Sequence, residues 1–298
     1  MAELDELLKR AERVLERLEG WLPAPPAAPD WDAAVAFRWR RAGALDSART
    51  GYLQPVAHPH RIRLADLNGV DQQKQELDLN TRQFLAGLPA NNALLWGSRG
   101  TGKSSLIKAL LNEHAGRGLR LIEVDRQDLA DLPDVVTTLD GRTERFIVFC
   151  DDLSFEGNDA SYKALKVVLD GSVSASADNV LIYATSNRRH LLPEYMEDNL
   201  QAQRVGDEIH QGEAVEEKIS LSERFGLWLS FYPFKQDEYL AIVDHWLAEL
   251  GADCSCADEA TRTAALQWAL KRGSRSGRSA WQFARDWAGR LALAGRGG

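Results

Sequence analysis

The sequence predicts an α/β fold with a parallel sheet, followed by a small all-helical domain. From about residue 64, short segments that are apolar throughout alternate with helical segments. Strands of this kind, separated by helices, are typical of a parallel sheet covered on both faces. After residue 234 the strand pattern stops, and apolar residues recur only at helical spacing.

The hydrophobic periodicity also places the individual elements. Strands are predicted at 92–96, 119–124, 145–150 and 180–185. Helices are predicted between them at 69–86, 103–115, 127–139 and 162–169, and beyond the last strand at 236–250, 257–272 and 279–293.

We divide the chain of 298 residues into four parts. Residues 1–30 combine an amphipathic helix at 3–21 with a proline-rich linker, and this helical extension packs on its own domain or docks to a neighbouring subunit. Residues 31–63 form a region rich in arginine and aromatic residues. The α/β domain is expected at 64–234 and the helical domain at 235–298, since about 150 residues per domain predicts two globular units.

The region 31–63 allows two interpretations. It holds six arginines against two aspartates, a net charge of +4, and its arginines are interleaved with aromatic residues. Arginine and aromatic side chains can stack on nucleic-acid bases. The same composition is typical of an amphipathic helix whose aromatic residues pack inward while its arginines extend to solvent. We favour the amphipathic helix.

The composition indicates a cytoplasmic protein. The net charge is −8, so the surface as a whole does not attract nucleic acid. No segment has the roughly 18 consecutive apolar residues that a membrane span requires. The three cysteines, Cys150, Cys254 and Cys256, are too few for a disulfide framework or a zinc site, and they fit a reducing compartment.

A glycine-rich string between the first predicted strand and its helix matches G-x-x-x-x-G-K-[ST], the phosphate-binding P-loop. Glycines allow backbone amides to point at phosphate oxygens, and the following helix adds its positive end. We expect Lys103 to be exposed and to reach the β- and γ-phosphates, and Ser104 to offer its hydroxyl to Mg²⁺. The candidate nucleotide-binding residues are Gly97, Ser98, Arg99, Gly100, Thr101, Gly102, Lys103, Ser104 and Ser105.

Two carboxylates directly follow the apolar strand at 145–150. Asp151 is expected to hold Mg²⁺, directly or through water, and Asp152 to polarise the attacking water. Aspartate is also common in strand-end turns. Two consecutive carboxylates downstream of a P-loop nevertheless favour a site, so ATP and Mg²⁺ are the predicted cofactors.

With these motifs in order, the chain resembles the AAA+ ATPases over roughly residues 64–293. The resemblance implies that Asn187, in YATSNRR, is the sensor 1 residue that helps to position water. It also implies that Arg278, in GRS, is the sensor 2 residue of a helical lid, with Arg275 as its rival.

The resemblance further implies an arginine finger that acts on a neighbouring subunit. Arg224, in SERFG, is the first candidate, and Arg188 and Arg189 are alternatives. The chain departs from many AAA+ ATPases in carrying Asp152 where they have glutamate, with Glu156 as a possible substitute. The segment RQDLADLPDVVTTLDG lacks the aromatic pore loop of protein-threading members, which disfavours an unfoldase.

More narrowly, the stretches LLWGSRGTGKSSLIKAL, FCDDLSFE and ATSNRRHLLPE resemble a bacterial AAA+ family of unknown function. We therefore favour an ATPase that hydrolyses Mg-ATP at subunit interfaces to remodel or assemble an unidentified macromolecular partner. Its implied assembly is an ATP-dependent homo-oligomer, for which a hexamer is one candidate. The alternative is a nucleotide-dependent switch or loader for nucleic acid or a nucleic-acid-binding protein. A phosphotransferase ranks last, since no arginine-rich lid interrupts the core strands.

Overall fold

The computed structural model describes residues 5–6, 10, 12–13, 28–41, 51–154, 160–170, 178–187, 204–205, 208–209 and 221–296. The predicted helix at 3–21 falls mostly outside these residues, and those of its residues that are described are helical and exposed. None of the described helices is long and apolar enough to cross a membrane.

The centre of the fold is a mostly parallel sheet. The described strands are β1 (Ala36–Arg41), β2 (Gly51–Pro55), β3 (Ala93–Gly97), β4 (Leu119–Val124), β5 (Arg145–Cys150), β6 (Val180–Ser186), β7 (Arg204–Val205), β8 (Glu208–Ile209) and β9 (Leu227–Phe231). Seven of them form one sheet in the order β2-β1-β4-β5-β6-β3-β9, while β7 and β8 pair separately. Within the large sheet only β1 and β2 are antiparallel. The predicted α/β class is confirmed.

Helices cover the sheet and form a C-terminal lid. They are α1 (Asp71–Leu85), α2 (Lys103–His114), α3 (Leu132–Leu139), α4 (Ala160–Asp170), and the lid helices α5 (Gln236–Glu249), α6 (Glu259–Arg272) and α7 (Gly277–Arg296). The single helix predicted at 127–139 is instead a 3-10 segment, Arg126–Asp131, followed by α3. Pro133 explains the division, because proline suits only the first turn of an α-helix.

The alternation of side chains along β5 shows how the sheet is buried on both faces. Ile147 and Phe149 belong to one hydrophobic cluster, which also contains residues of α1, α2 and the lid. Phe146 and Val148 belong to a second cluster, on the side of α3 and α4. Successive strand residues point to opposite faces, so an apolar side chain is required at every position.

The amphipathic helix favoured for the region 31–63 is wrong, because this region contributes β1 and β2 to the sheet. Phe37 and Trp39 are buried and alternate with the arginines of β1, which is the two-residue period of a strand. The arginines form ion pairs with carboxylates on and after β4: Arg38 with Glu123 at 3.0 Å, Arg40 with Asp125 at 3.2 Å, and Arg41 with Asp131 at 2.8 Å. Strand β9, at the opposite edge of the sheet, was also not predicted.

Candidate nucleotide-binding site

The P-loop connects the end of β3 to the start of α2. Gly97 has a φ of +128°, and a Cβ atom there would lie 2.0 Å from the backbone oxygen of Phe231. The same oxygen accepts a hydrogen bond from the amide of Ser98 at 2.9 Å. A side chain at position 97 would therefore separate the loop from β9. The helix that begins at Lys103 directs its unpaired amides towards the loop.

Gly100 joins the P-loop to the lid. A Cβ atom at Gly100 would lie 2.9 Å from Oγ of Ser276, and its carbonyl accepts a hydrogen bond from the amide of Arg278 at 3.3 Å. Oγ of Ser276 also accepts a hydrogen bond from the amide of Ser279 at 3.2 Å, capping the first turn of α7. The start of α7 thus lies against the phosphate loop.

Lys103 is buried, with 7% of its surface exposed, so the expectation that it is exposed is wrong. Its Nζ donates hydrogen bonds to the carbonyls of Gly97 at 2.9 Å and Ser98 at 2.8 Å, and to Oδ1 of Asn187 at 3.3 Å. Burial lowers the pKa of Lys103, and the nearby charges of Asp151 and Asp152 oppose this shift. The ammonium group is therefore desolvated and held at the edge of the loop.

The two carboxylates after β5 lie beside the P-loop helix. Oγ of Ser104 lies 2.7 Å from Oδ1 of Asp151 and donates a hydrogen bond to it. The hydroxyl of Thr185, on β6, donates to the same oxygen at 2.5 Å and accepts a hydrogen bond from the amide of Asp152 at 2.9 Å. Asp152 has a φ of +52°, a conformation that residues with side chains rarely adopt.

Asn187 connects the lysine to the second carboxylate. Its Nδ2 donates a hydrogen bond to Oδ1 of Asp152, while its Oδ1 accepts the hydrogen bond from Lys103. The structure therefore brings together three segments that lie far apart in the sequence, which contribute Lys103 and Ser104, Asp151 and Asp152, and Asn187.

The donor set beside Ser104 fits a magnesium ion. Mg²⁺ prefers hard oxygen ligands and commonly uses one or two carboxylates together with phosphate oxygens. A serine hydroxyl that donates its proton to Asp151 keeps its lone pairs for a cation. Both hydroxyls that contact Asp151 bond to Oδ1, so within the described residues Oδ2 accepts no side-chain hydrogen bond.

A pocket of about 940 Å³ extends from these residues to the lid. Besides the P-loop and the carboxylates, it is lined by residues 60–63, 66–68 and 70, and by Phe234, Ile242, Trp246, Glu249, Gly277, Arg278 and Trp281. The rings of Trp246 and Trp281 have their centroids 4.6 Å apart, with planes inclined at 61°. Arg278, predicted to be sensor 2, thus lines the pocket, whereas its rival Arg275 does not.

An ion-pair cluster in the pocket lining joins the core to the lid. Nη2 of Arg63 lies 2.6 Å from Asp66 and 2.8 Å from Glu249 on α5. Asp66, His245 and Glu249 lie within 4.8 Å of one another, a set that a metal ion could bind. Arg63 already forms ion pairs with both carboxylates, so we interpret the cluster as a contact between the core and the lid.

Arg224 lies outside this pocket. Its Nε contacts Oδ1 of Asp170, the last residue of α4, and 22% of its side chain is exposed. The alternative fingers, Arg188 and Arg189, and the substitute carboxylate Glu156 lie outside the described residues.

Sequence reasoning missed Thr185 and the two lid tryptophans. Thr185 places a hydroxyl at the end of the predicted apolar strand, two residues before Asn187 in the sensor segment, a signal that was present in the sequence. Trp246 and Trp281 match the helical period of core residues, so nothing local distinguishes them as pocket residues.

Comparison with known families decides which family the chain represents. The family described as "Protein of unknown function (DUF815)" matches residues 32–291. The chain belongs to this family. The match includes β1 and β2, so the two N-terminal strands of this DUF815 protein lie within the region that the family covers. A comparison with curated protein sequences gives no significant match.

Solved structures relate the DUF815 fold to AAA+ proteins. A Thermotoga maritima RuvB variant has a TM-score of 0.55 at 14% identity, covering 78% of this chain and 66% of its own. Thermotoga maritima RuvB described as a Holliday junction branch migration motor has a TM-score of 0.51 at 16% identity with the same coverage. Aeropyrum pernix ORC1, solved in complex with DNA, has a TM-score of 0.55 at 15% identity and covers 76% of this chain and 61% of its own. These likenesses show the AAA+ fold, and the DUF815 chain spans about two thirds of the RuvB length.

Proposed function

We propose that this DUF815 protein binds and hydrolyses Mg-ATP and uses the cycle to remodel or assemble a macromolecular partner. The observation that carries the proposal is the convergence of Lys103, Ser104, Asp151, Asp152 and Asn187 on one pocket at the carboxyl ends of parallel strands. Ligands of open α/β sheets bind at this edge.

Each side chain has a role that its contacts support. Lys103 and the amides at the start of α2 bind the β- and γ-phosphates, and Ser104 and Asp151 hold the magnesium ion. When bound, that ion neutralises charge that develops on the phosphate oxygens. Asp152 orients the attacking water and accepts its proton, and the amide of Asn187 fixes the position of the Asp152 carboxylate. Arg278 supplies positive charge from the lid.

The two lid tryptophans in the pocket lining suit the base of the nucleotide. Trp246 and Trp281 offer aromatic surface for stacking, and both belong to the lid. A nucleotide that contacts the P-loop and these tryptophans together would hold the lid against the core. Nucleotide binding would then restrict the orientation of α5 and α7.

We further propose that Arg224 completes the site of a neighbouring subunit in a homo-oligomer. Its ion pair with Asp170 lies outside the pocket of its own chain, so Arg224 does not contribute to that pocket as the chain stands. An arginine placed on the open side of the γ-phosphate stabilises the charge of the transition state.

A phosphate-release assay tests the proposed activity. The wild-type protein should release phosphate from ATP only with Mg²⁺, and Asp152→Asn should keep ATP binding but stop turnover. Glu113→Gln, an exposed position on α2 that loses the same charge, is the matched control. Equal rates for Asp152→Asn and wild type would remove Asp152 from the mechanism, and no Mg²⁺-dependent release by wild type would contradict the ATPase.

A second candidate is a nucleotide-dependent loader that acts on DNA. The similar structures favour it, since one is a Holliday junction branch migration motor and another is in complex with DNA. The arginines of β1 do not support DNA binding through the region 31–63, because Arg38, Arg40 and Arg41 are paired with carboxylates of the same chain.

A further inference from the structure

Thr185 bonds to both acidic residues of the site through one hydroxyl. It lies near the end of β6, is 1% exposed and lines the pocket. A backbone amide can only donate and a carboxylate accepts, so the directions of its two hydrogen bonds are fixed. The Thr185 hydroxyl donates to Asp151 and accepts from the amide of Asp152.

These bonds continue the pairing of β5 with β6 beyond the end of β5. The last paired residues are Cys150 and Ala184, and the amide of Leu153 donates to the carbonyl of Thr185 at 2.7 Å. Between these two points the chain passes through Asp152, whose φ is positive. Such a conformation persists only when the surroundings hold it, and the hydroxyl of Thr185 binds the amide of this residue.

We propose that Thr185 is a positioning residue for magnesium binding and for the orientation of water. Its hydroxyl fixes Oδ1 of Asp151, which leaves Oδ2 for the ion or a water of the ion. It also fixes the backbone of Asp152, so that the carboxylate meets Asn187. The proposal rests on the proposed Mg-ATPase function.

Thr185→Val, which keeps the shape and removes the hydroxyl, tests this role. The concentration of Mg²⁺ at half-saturation, measured with a fluorescent ATP analogue, should rise about 10–100-fold, as for other groups that orient metal ligands. Binding of the analogue without Mg²⁺ should stay within about twofold, because the phosphate contacts of the P-loop remain. Thr185→Ser should restore most of the wild-type Mg²⁺ affinity and rate.

The matched control is Thr81→Val. It removes another buried threonine hydroxyl, which is bonded to Leu77 and Tyr183 and is not among the residues that line the pocket. If Thr185→Val does not fold, Thr185→Cys, a weak donor of similar size, is measured in the same way. The proposal would be overturned if the variant without the hydroxyl kept the wild-type Mg²⁺ affinity and hydrolysis rate. It would also be overturned if Thr185→Ser failed to restore them. No Mg²⁺-dependent binding by the wild-type protein would instead contradict the ATPase itself.

Discussion

Nζ of Lys103 lies 3.3 Å from Oδ1 of Asn187 and donates a hydrogen bond to it. The other end of the same amide donates to Asp152. One side chain directly after β6 therefore connects Lys103, to which we assign phosphate binding, with Asp152, to which we assign the orientation of water. Under the proposed function, a change at the γ-phosphate would reach Asp152 through these two hydrogen bonds.

Replacement of this amide should affect turnover more than binding. We expect Asn187→Ala to lower kcat by about 10²–10³, the usual effect of removing one oriented polar group from a transition-state site. The KM for ATP should change by only a few-fold, since Lys103 keeps its other contacts. Steady-state kinetics measures both parameters. An increase in KM with an unchanged kcat would show that Asn187 serves ground-state binding instead.

The burial of Lys103 predicts coupling between ATP binding and protonation. Burial lowers the pKa of Lys103, whereas bound phosphates favour its charged form and raise the pKa again. Proton uptake on ATP binding should therefore increase as the pH rises towards the ordinary lysine pKa of about 10.4, because more of the free lysine becomes neutral while the phosphate-bound lysine stays charged. Calorimetric titrations in two buffers of different ionisation enthalpy measure this uptake. The same heat in both buffers at the higher pH would contradict the prediction.

The β1 arginines should stabilise the sheet rather than bind nucleic acid. Arg38→Gln and Arg41→Gln should each lower the free energy of unfolding by up to about 1 kcal/mol, the range of partly exposed ion pairs. Urea unfolding measures this change. In filter binding at low salt, neither variant should alter the retention of DNA. If either variant lost DNA retention and showed a shallower salt dependence, the result would support DNA binding by this region and thus the loader hypothesis.

The finger role of Arg224 can be tested by complementation. Arg224→Ala should bind ATP but lose most hydrolysis, since a comparable arginine contributes about 10³–10⁵ in GTPases. Mixing it with Lys103→Ala should restore some activity, because mixed interfaces combine an intact loop with an intact arginine. Lys271→Ala, an exposed lysine on α6, replaces Arg224→Ala in the control mixture. Mixed assemblies without activity would place the finger elsewhere, with Arg188 or Arg189 next.

The sequence predicts the P-loop and the order of the core elements well, because that chemistry lies in consecutive residues. Eight neighbouring positions specify the loop, and apolar strands identify the buried sheet. The region 31–63 was misinterpreted because its charge suggested a helix or a nucleic-acid surface. The alternation of Phe37 and Trp39 with arginines already indicated a strand.

Contacts between distant segments could not be predicted. The bond between Thr185 and Asp151 depends on the register of β5 against β6, which places Ala184 beside Cys150. The burial of Lys103 depends on the carbonyls of its own loop. Both arise from the backbone path in three dimensions, which residue types and spacing do not specify.

The most direct test of the nucleotide site is calorimetric titration of Mg-ATP into wild-type protein and Lys103→Ala, with Lys271→Ala as the control. The wild-type and control proteins should bind Mg-ATP. Lys103→Ala should bind it at least about 100-fold more weakly, since each charge-assisted hydrogen bond contributes about 1.5–3 kcal/mol. Thermal unfolding of the free proteins must accompany the titration, because Lys103 is buried. Equal affinities for wild type and a folded Lys103→Ala protein, or no binding by wild type, would contradict the account.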